Sequence, residues 1–330
     1  ENHRPVVVTE IIKKESLNDI IQMDREKQEI FGWNDTKKLI FIYGIASGMS
    51  YLHSLGIVHQ NLILENILFD DFLYPKIANF SCSLKYSDAS EKFKELMAND
   101  VYSFSVIAYE ILINEKISLN DRPKLKDDIV KSYRDLIEKC WSQNPNDRPT
   151  FSEIINKLKI DDQFITEKVD KKEFIKYVNL LEKYQVKSSI SEKPKFNTVS
   201  YSPLKISEID ENSQNLATDF LDLKKFELGE LICKSDFSKT YKVILKENRK
   251  NYSCKISAIK TRKLSRGELI NLSREVNIIS QLNHPSFLKF IGYSPVDFKN
   301  KSRSVIVTEL ATNGTLKHIL ESERKCQTIP

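Results

Sequence analysis

His59-Gln60-Asn61-Leu62-Ile63-Leu64-Glu65-Asn66 is the stretch on which the fold turns. It is a polar turn set between a helix and a strand. Upstream, from Trp33 to Leu55, apolar residues recur at Leu39, Ile42, Tyr43, Ala46, Met49 and Leu52, a helical period that predicts a long buried helix. Downstream comes Ile77-Ala78-Asn79-Phe80-Ser81, with Asn79 thirteen residues past Asn66. Further on stand Asp100-Val101-Tyr102-Ser103-Phe104, then Cys140-Trp141, then Arg148-Pro149-Thr150-Phe151. Asn61, Asn66 and Asn79 put three carboxamides at the polar turns, and a carboxamide has neither an ionisable proton acceptor nor a full negative charge.

In this order the segments resemble those of the protein kinase superfamily, in its tyrosine-kinase-like branch. His59 to Asn66 is similar to the catalytic loop H-R-D-L-x-x-x-N, in which Asp takes the substrate hydroxyl's proton and Asn holds magnesium. The resemblance gives the catalytic positions to Asn61, Asn66 and Asn79. Asn61 stands where the Asp would be, so a general-base contribution of about 10²- to 10⁴-fold is missing from this position. Asn79 stands at the Asp of D-F-G and removes the anionic oxygen that a hard cation prefers; Ser81 stands at its Gly. About twenty residues separate Asn79 from Asp100, with no A-P-E among them, so the peptide platform is expected to be shortened. Arg148 resembles the arginine that pairs with the missing Glu, leaving Glu91, Glu95 or no partner.

A second resemblance lies at the other end of the chain. Leu231 to Val243 is similar to a kinase glycine-rich loop in which Cys233, Ser235 and Ser238 occupy the glycine positions and Thr240 that of the Val. Glycine lets backbone approach phosphate, so these side chains are expected to crowd a nucleotide. Fifteen residues after Thr240, Tyr252-Ser253-Cys254-Lys255 resembles the strand with the phosphate-pairing lysine; Ser253 and Lys255 would share a face. Ser257-Ala258-Ile259-Lys260 matches V-A-I-K more literally, and the choice between Lys255 and Lys260 stays open, with Lys255 favoured on spacing. Glu275 matches the helix glutamate that pairs with that lysine, so the resemblance assigns cofactor binding to Lys255 and Glu275. Asn283-His284-Pro285 and Phe290-Ile291-Gly292-Tyr293 follow as the next loop and strand.

The chain also repeats itself. Arg303-Ser-Val-Ile-Val-Thr-Glu-Leu, through Leu316 to Ile319, restates Arg4-Pro-Val-Val-Val-Thr-Glu-Ile, through Leu17 to Ile20, at a period of 299 residues. Both copies resemble the hinge strand between kinase lobes. The expected organisation is therefore α+β and kinase-like. Residues 1–160 would be a hinge with a mainly helical large lobe, 161–217 a helix plus flexible linker, and 218–330 the β-rich small lobe and hinge of a second, truncated kinase-like domain. Val169 to Tyr184 has apolar residues at Val169, Phe174, Ile175, Val178, Leu180 and Leu181, as an amphipathic helix docked on the large lobe would. Since only one hinge copy can fill the strand, and about 67 residues separate Leu158 from Phe226, the lobes are expected to be flexibly tethered rather than docked.

Composition fits a soluble globular protein: of 330 residues, 40% are hydrophobic and 29% charged. Signs are interspersed, and the net charge of +5 implies no nucleic-acid surface. No apolar run approaches the roughly 18 residues of a membrane span, the opening Glu-Asn-His-Arg has no signal-peptide core, and the missing initiator Met suggests a fragment. Five cysteines without C-x-x-C spacing suggest reduced thiols in the cytosol. Two functions follow from the resemblance. One is a non-catalytic pseudokinase acting as a scaffold or regulator toward protein partners or a neighbouring kinase domain; the other is an active ATP-dependent kinase of Ser, Thr or Tyr. ATP and magnesium are implied as weakly held cofactors, with no dedicated metal site.

Overall fold

The computed structural model describes residues 33–86, 90–115, 117, 122, 123, 125, 127, 129–190, 220–235, 238–311, 314–317 and 319–321, without the side chains of 185–190, 262, 266 and 270. Asn34 caps the first helix, its side chain accepting from the Lys37 amide at 3.0 Å. That helix, α1 (Asp35–Ser54), buries the expected Leu39, Ile42, Ala46, Met49 and Leu52 but also Ile40, Phe41 and Ile45. A helix apolar all round belongs at the centre of a domain. It ends at Gly56, whose φ of +72° and position 2.6 Å from the Tyr86 carbonyl oxygen, measured from an added Cβ, leave no room for a side chain.

Two short antiparallel pairs follow. β1 (Ile57–Val58) pairs with β4 (Leu84–Lys85), and β2 (Ile67–Phe69) with β3 (Pro75–Ile77). Residues 59–66 therefore run between β1 and β2, and 78–83 between β3 and β4, so the two pairings hold both polar loops side by side. Next comes α2 (Glu91–Ile113), long and apolar enough by length and composition to cross a membrane, with its apolar run interrupted by Asp100 and Glu110. Its Val101, Phe104, Ile107 and Ile111 are instead buried in the core shared with α1. Packed around them are α3 (Lys131–Cys140), α4 (Phe151–Ile160), opened by a Thr150/Glu153 capping box, and α5 (Lys171–Ile190). In α5, Phe174, Val178 and Leu181 are buried as expected, Tyr177 joins them, and Ile175 is exposed.

The second lobe is one antiparallel sheet in the order β5-β6-β7-β9-β8: β5 (Phe226–Lys234), β6 (Ser238–Leu245), β7 (Asn251–Ser257), β8 (Phe290–Ser294) and β9 (Val305–Glu309). Helix α6 (Arg266–Gln281), begun by a Ser265/Glu268 capping box, connects β7 to β8. One face of the sheet closes on a small core of its own, Leu223, Phe226, Val243, Cys254, Val305 and Val307.

Docking of the lobes corrects the expectation of a flexible tether. Val276, Ile279, Phe287, Ile306, Leu316 and Ile319 belong to the same apolar core as α1 and α2. Gly48 makes the approach possible: an added Cβ would lie 2.8 Å from Ile77 and 2.9 Å from Ser286. Ser286 donates through Oγ to the Gly44 carbonyl at 2.9 Å, and its own carbonyl accepts from the Ile77 amide at 2.6 Å. Lys76 reaches Glu309 at 3.2 Å and Lys317 reaches Glu65 at 2.9 Å. The physical reason lies in the repeat. One hinge strand fits the sheet, and the second copy, Val305–Glu309, fills it between β7 and β8. The first copy, residues 6–10, and most of the expected linker, 191–219, lie outside the described residues.

Candidate functional site

Asp100, buried near the middle of α2, organises the loop after β1. Its Oδ2 accepts from the His59 amide at 2.8 Å and from His53 Nε2 at 2.9 Å, and its Oδ1 from the Gln60 amide at 2.8 Å. A buried carboxylate needs such donors. With its backbone so held, Gln60 adopts a φ of +60°. Burial lowers the His59 pKa, with Asp100 opposing, so the imidazole is neutral. It donates through Nε2 to the Ala78 carbonyl at 3.2 Å and accepts through Nδ1 from the Asn61 amide at 3.2 Å. His59 thereby ties the two loops together, and Phe80 packs on its edge at 5.1 Å.

The three asparagines meet here. Asn66 donates from Nδ2 to the Asn61 carbonyl at 2.8 Å, and its Oδ1 accepts from Asn79 Nδ2 at 3.1 Å. Asn79 Oδ1 in turn accepts from Ser81 Oγ at 2.8 Å. The amide orientations follow from this chain of donors and acceptors. Asn79 sits at φ +67°, a conformation that asparagine tolerates better than most residues. The side-chain oxygens of Asn66 and Asn79 both accept hydrogen bonds from the protein, and neither carries a full negative charge. A dication prefers several anionic oxygens. Among the described residues no group of three His, Cys, Asp or Glu side chains could hold a metal ion. Magnesium does not fit this donor set.

In the small lobe, Lys255 Nζ lies 2.8 Å from Glu275 Oε1. Sheet register explains why Lys255 and not Lys260: Lys255 lies within β7, opposite Thr240 and Ile306, whereas Lys260 has left the strand and precedes a short 3₁₀ turn. The lysine is partly exposed and the glutamate nearly buried. Beyond them, at the tip of the β5–β6 hairpin, the Ser235 hydroxyl donates to the Ser238 carbonyl at 3.2 Å and accepts from the Ser238 amide at 3.1 Å. Side-chain bonds thus tie Ser235 to Ser238. Cavities of about 270 and 400 Å³ lie elsewhere, at the base of the large lobe and on the outer side of the sheet.

Sequence reasoning missed two contributors and did not find the partners of a third, Arg148. Asp100 carries no role in the sequence reading, although an acid amid Val101, Phe104 and Ile107 is the signal of a buried carboxylate with captive donors. Phe287, 5.7 Å from Phe80, carries the small lobe onto the loop containing Asn79. Arg148 has a different set of partners from those weighed. It donates to the carbonyls of Ser142 and Ala98, each at 3.0 Å, and lies over the Tyr102 ring, rather than pairing with Glu91 or Glu95.

A family model described as protein tyrosine and serine/threonine kinase matches residues 1–97, 89–158 and 226–330. Three proteins of Dictyostelium discoideum are among the similar ones. The dual specificity protein kinase pyk3 is 32% identical over 184 residues, covering 47% of this chain and 13% of that protein. A probable LIM domain-containing serine/threonine-protein kinase is 27% identical over 195 residues, 50% of this chain and 20% of its own length. The RGS domain-containing serine/threonine-protein kinase A is 34% identical over 148 residues, 36% and 13%. The chain spans a fifth or less of the length of these relatives. Matched over most of its length, the chain belongs to the protein tyrosine and serine/threonine kinase family.

Proposed function

We propose that this chain is a pseudokinase of the tyrosine-kinase-like branch, a non-catalytic module that presents its surface to protein partners or to a neighbouring kinase domain. The family uses ATP and magnesium. The observation that carries the proposal is the hydrogen bond from Asn79 Nδ2 to Asn66 Oδ1 at 3.1 Å, which joins two carboxamides at the positions that resemble the family's metal-binding Asp and Asn. With Asn61 in place of the base, proton removal and metal binding are both impaired, and these act at different steps of one reaction.

Lys255 and Glu275 retain the arrangement that would hold phosphates, so nucleotide binding without metal is compatible with this reading. The chain's sequence relatives include serine/threonine kinases and a dual specificity kinase, and the alternative is that it transfers phosphate from ATP to Ser, Thr or Tyr. Phosphotransfer from labelled ATP separates the two. The proposal expects no labelling of the chain or of a general protein substrate above a blank; labelling abolished by Asn66→Ala would reverse it. A cytoplasmic setting belongs to the same proposal and is tested by imaging the tagged protein.

A further inference from the structure

The outer side of the small lobe holds a cavity of about 400 Å³ between β5, β6, the end of β7 and the turn joining β8 to β9. That turn is rigid. Asp297, nearly buried, accepts through Oδ1 from the amides of Lys299 at 2.8 Å and Lys301 at 3.0 Å, while its own amide donates to the Lys301 carbonyl at 2.9 Å. Arg303 lies beside it, its Nε 3.7 Å from Asp297 Oδ2 and its Nη1 donating to the Ser257 carbonyl at 2.9 Å. Asp297 is thus engaged by the turn and by Arg303.

Lys239, Lys299 and Lys301 remain, all exposed and all lining the cavity. Elsewhere on this sheet cations face acids: Lys242 faces Glu230, Arg249 pairs with Glu227 and Lys255 with Glu275. No acid pairs with these three lysines among the described residues. Like charges converging on a fixed frame repel, and a ligand with negative charge relieves that repulsion. The walls between them are apolar: Leu228 is 39% exposed, and Tyr241 and Phe298 face the same space. Cations around an apolar floor suit carboxylates flanking a bulky apolar side chain better than they suit a bare anion.

We infer that this cavity is a docking site for an acidic peptide segment of a partner protein, with an aromatic or large aliphatic residue seated against Leu228, Tyr241 and Phe298 and carboxylates on either side reaching Lys239, Lys299 and Lys301. The site lies on the face of the sheet opposite to that of Lys255 and does not depend on whether the chain is catalytic.

Fluorescence anisotropy of the whole chain with a labelled Asp-Glu-Phe-Glu-Asp peptide tests it. Saturable binding is expected, weakening with salt and falling at least tenfold in Lys239→Ala/Lys299→Ala/Lys301→Ala. Lys92→Ala/Lys94→Ala on α2 should bind as the parent does. Matching thermal transitions of the two variants establish that both are folded. Four outcomes would overturn the inference. They are no saturation up to about 1 mM, an unchanged affinity in the triple variant, equal affinity for Asp-Glu-Ala-Glu-Asp, or tighter binding of decathymidylate through the same lysines.

Discussion

Acid should loosen the two lobes through His284. Its ring is buried beneath Tyr51, stacked at 5.2 Å, with Nδ1 accepting from the Ser286 amide at 3.2 Å and Nε2 facing Ser47 Oγ at 3.4 Å. Burial, with Lys76 nearby, lowers its pKa from 6.5 to about 4. A histidine with a depressed folded pKa binds its proton more readily when unfolded, so stability falls as pH falls. The contribution is complete above pH 6.5 and is lost progressively toward pH 4. At about 1.4 kcal/mol per unit the whole window is worth about 3 kcal/mol, of which about 2 is lost by pH 5. Denaturant unfolding at pH 7.5 and pH 5 measures it, with His284→Gln, which does not titrate, as the comparison. The parent should lose about 2 kcal/mol more than the variant; equal losses would refute the assignment. His59, also lowered by burial, contributes with the same sign in both proteins and cancels in the difference.

Three further expectations follow from close contacts. Gly48→Val drives a side chain into Ile77 and Ser286 and should cost about 1–3 kcal/mol in denaturant melts, whereas Gly267→Ala, with nothing within 4 Å of the new Cβ, should be neutral or stabilising by up to about 1 kcal/mol. Asp100→Ala strands the amides of His59 and Gln60 and should lower stability by about 3 kcal/mol or more, with increased hydrogen exchange at residues 59 and 60. Asn61→Asp alone should yield no phosphotransfer to a peptide, since the bond between Asn79 and Asn66 remains; measurable turnover would show that the base was the sole defect.

What the sequence could reveal was whatever depends on local period and on spacing. The α1 stripe at Leu39, Ile42, Ala46, Met49 and Leu52 was legible because a buried helix leaves a 3.6-residue trace. So were the three asparagines, because the segments around them keep their order and spacing. Lys255 over Lys260 was legible only in part: both sit near a strand end, and the β6–β7–β9 register together with Glu275 distinguishes them. Lobe docking was not legible. It rests on the fit of Gly48 against Ser286 and of Phe287 against Phe80, contacts between residues more than 200 positions apart that leave no periodic trace. Nor was the hydrogen-bonded closure of Asn66, Asn79 and Ser81, which depends on which atom of each amide faces which. Arg148 escaped because backbone carbonyls, its true partners, have no signature in side-chain identity.

Calorimetric titration of ATP into the whole chain, with and without magnesium, tests the central claim most directly. With Asn66 and Asn79 bonded to each other at 3.1 Å, ATP affinity should be the same whether magnesium is present or chelated. A tightening of about tenfold or more on adding magnesium, about 1.4 kcal/mol, that disappears in Asn66→Ala would show that a cation displaces the amide hydrogen bond and would contradict the account.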